Sequence, residues 1–131
     1  MFRLRHTVPI LALVLGTPAL GADDTIVTTL MTRELKDIAG KEAQMLVVEY
    51  PPGGADAAHR HDAHAFIYVL EGSIVMQVSG GEEVTLTPGQ TFYEGPDDIH
   101  SVGRNASRTQ PAKFLVVFVK GKGTDAVLSV N

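Results

Sequence analysis

The 131-residue chain has no cysteine. That absence removes a disulfide framework, a thiolate ligand or nucleophile, and a lipid-modified cysteine as an anchor, so the fold has to be held by its apolar core. Positive charge is also scarce, with 11 Lys and Arg against 15 Asp and Glu and a net charge of −4. No basic run with interleaved aromatics is present. The composition therefore disfavours nucleic acid as a partner, and an anionic membrane surface likewise. The sequence contains neither the Gly-x-Ser-x-Gly turn of serine hydrolases nor a glycine-rich phosphate loop.

A run long enough to anchor the chain in a bilayer is missing as well. Val8 to Leu15 is apolar, but too short for a permanent span. It follows Arg3 and Arg5 and precedes the small-residue segment Thr17 to Ala22. Positive, apolar and small residues in that order read as a secretory signal peptide over residues 1–22, with cleavage after Gly21 or Ala22. Pro9 and Pro18 oppose the alternative of a regular buried helix. The protein is thus expected to be periplasmic or secreted, with no stable membrane anchor, and residues 23–131 are expected to form one domain. Loss of the segment removes two arginines and no acid, leaving 9 basic against 15 acidic residues.

What the mature part has is a succession of short β patterns. Thr25 to Met31 is rich in β-branched residues, and Arg33 to Gly40 carries no helical stripe and reads as a loop with a turn. Glu42 to Tyr50 contains Met45-Leu46-Val47-Val48, the pattern of a strand buried on both faces. Pro51-Pro52-Gly53-Gly54 stops it. Phe66 to Leu70 and Ser73 to Val78 flank Glu71-Gly72 and predict a hairpin. Val84 to Leu86, Thr91 to Glu94, Ile99 to Val102 and Lys113 to Val119 complete the set, separated by Gly80-Gly81, Pro88-Gly89 and Gly95 to Asp98. Regularly spaced short strands without a helix predict an all-β sandwich or small barrel.

Three of the five histidines fall within the six residues His59 to His64. In an extended segment His59 and His61 point the same way, about 7 Å apart along the backbone, close enough to converge on one metal ion. His64 has the opposite parity and is expected to face away. His100 lies on a later strand, and Glu94 precedes it across the turn Gly95 to Asp98, where an antiparallel hairpin would bring the two together. Tyr93 and Tyr68 could line a pocket through their polar ends. Arg104 is a candidate to meet an anion at a barrel mouth, with an ordinary exposed arginine as the default reading.

Gly53, five residues, His59-Arg60-His61 and Gly72, followed by Gly89, five residues, Gly95 and His100, resemble the two-part signature of the cupins, at residues 53–72 and 89–105. The segment Phe66 to Gly72 is itself similar to small bacterial cupins. Four positions depart from the signature. Ala65 stands where the family has a glutamate ligand, Gly95 replaces a proline, Asp97 replaces a glycine, and Asn105 comes one residue late. The resemblance implies a double-stranded β-helix, or jelly-roll barrel, with a divalent transition metal on His59, His61 and His100. Iron(II) comes first, with Zn2+, Mn2+, Ni2+ or Cu2+ as alternatives. It also suggests a homodimer, for which the Thr25 to Met31 arm would serve.

Without the glutamate, such a site would be one charge more positive and would favour a small anionic organic ligand. The leading expectation is an exported metal-binding cupin that binds a small organic ligand, with a three-histidine, iron-dependent dioxygenase as the first enzymatic candidate. The alternatives are a metal-dependent lyase or isomerase with Glu94 or Tyr93 as catalytic acid or base, and a non-enzymatic ligand-binding or metal-sequestering protein using His59, His61 and His64.

Overall fold

The computed structural model describes residues 24–130, so the expected signal segment lies outside the described residues. The described chain is all β. Its strands are β1 (Ile26–Glu34), β2 (Lys41–Tyr50), β3 (His59–Arg60), β4 (Ala63–Glu71), β5 (Ile74–Val78), β6 (Val84–Leu86), β7 (Thr91–Glu94), β8 (Ile99–Asn105), β9 (Ala112–Gly121) and β10 (Leu128–Ser129). They form two five-stranded antiparallel sheets, ordered β1-β2-β9-β4-β7 and β10-β3-β8-β5-β6. This is the expected jelly-roll barrel.

Period-two alternation builds the interior. Ala112, Phe114, Val116 and Phe118 of β9 are buried, and so are Ala63, Ala65, Ile67 and Val69 of β4. Leu46, Val48 and Tyr50 of β2 and Ile74 and Met76 of β5 complete the core. Burying each of the larger side chains contributes about 1.5–3 kcal/mol. The Met45 to Val48 run, expected to be buried on both faces, is fully buried only at Leu46 and Val48, while Met45 and Val47 are half-buried on the outer face.

Two expected hairpins are corners instead. β4 and β5 flank Glu71-Gly72 but belong to different sheets, as do β7 and β8 on either side of Gly95 to Asp98. β4 pairs with β9 and β7, and β5 pairs with β8 and β6, so the chain crosses between layers at each of these turns. Sequence spacing reports a turn but not which ladder the next strand joins. Strand ends also shift. β1 runs on to Glu34 through pairing with β2, and β8 to Asn105 through pairing with β5. The tail returns as β10, which pairs with β3.

Gly72 holds one corner. It has φ +69°, and an added Cβ would lie 2.5 Å from the Pro111 carbonyl oxygen and 2.9 Å from Ala112 Cα. Gly40 has nearly the same φ, +71°, with nothing within 4 Å of that position. Both substitutions to alanine incur the left-handed backbone strain of about 1–3 kcal/mol, but only Gly72→Ala adds a clash with backbone atoms. Thermal denaturation should show a clearly larger fall in Tm for Gly72→Ala than for Gly40→Ala.

Candidate metal centre

The two sheets and the crossover between them each bring part of one polar cluster into the apolar interior. In the second sheet, β3 pairs with β8 so that His59 stands directly opposite His100. His61 follows β3, where the chain passes to the other sheet. From that sheet comes Glu94, directly opposite Ala65 across the β4–β7 ladder. Side chains of such a pair share a face, so the short Ala65 leaves room for Glu94 to enter the space beside the histidines. The carboxylate missing at position 65 is thus present one strand over.

The donor atoms are close together. One nitrogen from each of His59, His61 and His100 lies within 4.8 Å of the others. His59 Nε2 is 3.3 Å from His100 Nδ1. Glu94 Oε1 is 3.4 Å from His100 Nδ1, and Oε2 is 3.2 Å from His61 Nε2. Bonds of about 2.0–2.2 Å to a single ion place its ligands roughly 3–3.5 Å apart, so these spacings fit one transition metal. Oε2 is buried without a hydrogen-bond partner, which is costly for a carboxylate unless a cation takes it.

The second nitrogen of each ring fixes which one faces the centre. His61 Nδ1 donates to the Ala126 carbonyl at 2.6 Å and His59 Nδ1 to the Ala57 carbonyl at 2.8 Å, because a carbonyl can only accept. Both rings therefore turn Nε2 inward and keep it available to a metal once it carries no proton. His100 is reversed: Nε2 lies 3.1 Å from Met76 Sδ, leaving Nδ1 toward the centre. Burial works against a charge on His61, but the Glu94 carboxylate and the Ala126 carbonyl outweigh it and raise its pKa. At His100 burial prevails, helped by the other two histidines against Glu94, and its pKa is lowered.

Space around the ring of His100 depends on Gly103. A Cβ there would sit 2.7 Å from His100 Cε1, 2.9 Å from its Nε2 and 3.0 Å from Tyr50 Oη. Tyr50, fully buried, donates a 2.5 Å hydrogen bond to Asp56, which also accepts from Thr25. Burial, with Asp56 beside it, pushes the Tyr50 hydroxyl far above its ordinary pKa, so the proton stays on the tyrosine.

The cluster opens onto a cavity of about 630 Å³. Leu46, Val48, Ile67, Phe114, Val116 and Phe118 form its apolar walls, and Asp56 and Asp125 add carboxylates. Phe118 also packs against the His61 ring, with centroids 4.8 Å apart.

Other expected site residues lie elsewhere. Tyr93 is 48% exposed and Tyr68 45% exposed, on the outer face of their sheet. Tyr93 precedes Glu94, so alternation that turns the glutamate in turns the tyrosine out. Tyr93 is therefore not placed for acid–base chemistry in the cavity. His64 also faces outward, where its Nδ1 and the Tyr93 hydroxyl share a 2.7 Å hydrogen bond, so the His59, His61 and His64 trap is not assembled. Arg104 pairs with Glu83 and does not line the cavity. Asp56 and Tyr50 escaped the sequence reading although Asp56 lies in the turn that delivers His59. Ala126 and Asp125 gave no local signal, because the tail reaches the site only through the β10–β3 pairing.

A family model described as a cupin domain matches residues 46–118, more than half of the chain, and the chain belongs to that family. Solved structures agree on the fold. The polyketide cyclase RemF from Streptomyces resistomycificus is 27% identical with a TM-score of 0.62, the match covering 85% of this chain and 74% of the cyclase. An uncharacterized protein with a double-stranded β-helix domain from Klebsiella pneumoniae is 19% identical with a TM-score of 0.63, covering 87% and 90%. The DMSP lyase DddQ from Ruegeria pomeroyi is 22% identical with a TM-score of 0.57. That match covers 66% of this chain and 42% of the lyase, so the chain spans less than half of the lyase's length. A comparison with curated protein sequences finds no match.

The Gly103 contact gives a direct check. Gly103→Ala should weaken zinc binding, read by competition with a chromophoric chelator, by about tenfold or more, the range typical of a disturbed ligand support. Tyr93→Phe should leave that affinity unchanged.

Proposed function

We propose that this protein is an exported, metal-dependent cupin enzyme. His59, His61, His100 and Glu94 hold one divalent transition metal, and the adjoining cavity holds a small organic substrate against it. The observation that carries this reading is the set of four donors, three buried in an apolar barrel and His59 half-buried, spaced 3.2–3.4 Å along their closest contacts. When bound, the metal supplies Lewis-acid polarisation of a substrate oxygen. Three imidazoles and one carboxylate suit iron(II), zinc, manganese or nickel and leave coordination positions open for substrate.

The chain's own residues then divide the work. The apolar walls orient the substrate and exclude water. Asp56, at the cavity wall, is positioned to accept a substrate proton. Tyr50 holds that carboxylate in place through the bond to Oδ2. Glu94 is taken up as a ligand, which removes it from the role of free base. This arrangement supports proton transfer or elimination beside a polarised oxygen, a lyase or isomerase class of reaction. The names of two similar structures, a lyase and a cyclase, are compatible with it. The dioxygenase reading stands second, favoured by a nitrogen-rich donor set that accepts iron(II). Export rests on the signal pattern of residues 1–22. Pairing with a second copy is supported by β1, whose Ile26, Leu30 and Met31 are exposed at a sheet edge.

Metal content by mass spectrometry on protein isolated from the periplasm tests the centre. Near-stoichiometric transition metal in the wild type, lost in both His59→Ala and His100→Ala, is the expected result. A wild type that stays empty after reconstitution overturns it. Turnover of a screened substrate without oxygen consumption separates the lyase or isomerase class from the dioxygenase.

A further inference from the structure

The expectation of an anionic ligand rested on a site with no carboxylate. The folded cavity has the opposite character. Glu94, Asp56 and Asp125 all line it, and among the described residues no lysine or arginine does. The cations that the fold could have offered are engaged elsewhere. Lys120 is buried between Glu42 and the Thr124 carbonyl, and Arg104 is held by Glu83. Even with a doubly charged metal in place, three carboxylates exceed its charge.

Buried charge needs a partner of opposite sign, and an apolar cavity amplifies whatever field its walls carry. A ligand bringing a carboxylate, phosphate or sulfate would find the metal as its one cation and would lie among three carboxylates. A ligand bringing a hydroxyl or protonated amine would find acceptors. Asp56 spends one oxygen on Tyr50 and the other on Thr25, and a carboxylate has about four acceptor sites, so capacity remains. Glu94, fully buried in the same cavity, adds its negative charge at the metal end.

We infer that the cavity selects an apolar, aromatic-sized molecule that carries a hydroxyl or ammonium donor and no anionic group. This deepens the proposed function and rests on the same cavity. The discriminating groups, however, are Asp56 and Asp125 rather than the metal. Phe114 and Phe118 supply apolar area for a ring, and the volume of about 630 Å³ lies within the size range of small-molecule sites. The donor end of the ligand lies toward Asp56 and Asp125.

The test uses three small molecules that share a 4-hydroxyphenyl ring and differ in the charge of the side chain: tyramine (cationic), tyrosol (neutral) and 4-hydroxyphenylacetate (anionic). Their binding to the full metal-loaded chain is measured by calorimetry at low salt, with metal content read on the same sample. Tyramine and tyrosol should each bind about tenfold or more tightly than 4-hydroxyphenylacetate, a ratio that one or two carboxylates at partly screened distance produce. Asp125→Lys, an exposed position, should narrow that gap several-fold without changing metal content. Equal or tighter binding of 4-hydroxyphenylacetate overturns the inference, and so does failure of all three to bind. An empty metal site with the charge order preserved would instead count against the metalloenzyme reading alone. A loaded site with the order reversed would count against the charge selection alone.

Discussion

Glu94 is the constraint to which the other parts of the interior answer. A carboxylate at 2% exposure, among Phe118, Ile67 and Met76, is stable there only if positive charge meets it. In this barrel His61, whose pKa the carboxylate raises, meets it directly, and each ring of the cluster is held by a hydrogen bond or sulfur contact at its outer nitrogen. The same constraint explains Ala65. A larger residue opposite Glu94 would close the space into which the carboxylate reaches, so the small side chain on β4 and the acid on β7 work as one unit. Ladder register, rather than nearness in sequence, makes them neighbours.

Much of the fold could be read before the structure was known, and for identifiable reasons. Turn chemistry at Pro51 to Gly54, Gly80-Gly81 and Pro88-Gly89 marks strand ends, and alternation in Ala112 to Gly121 marks a strand with one buried face. Local pattern does not say which sheet a strand enters. Two corners were therefore read as hairpins, because Glu71-Gly72 looks the same whether the chain folds back on itself or crosses to the opposite layer.

The site divides in the same way. His59, His61 and His100 were legible from parity and motif spacing, since both are properties of the chain itself. Glu94 was legible as a neighbour of His100, although the route is a crossing between layers. The sign of the cavity was not legible. It depends on Asp56 and Asp125, one in a turn and one in a tail that returns only through the pairing of two-residue strands. Tyr93 was misplaced because an aromatic with a polar end suits either face, and only its neighbour's burial settles the parity.

Glu94 belongs to one sheet, His59 and His100 to the other, and His61 to the link between them. An ion shared by all four would act as a rivet through both layers of the barrel. The free energy of holding it would add to the free energy of folding, growing with the logarithm of the ion's free concentration. For a chain without disulfides, metal supply would then be part of what keeps it folded. Scarcity of the ion would be felt first as loosening between the sheets, and the cavity that opens between them would lose its shape before the strands lose their pairing.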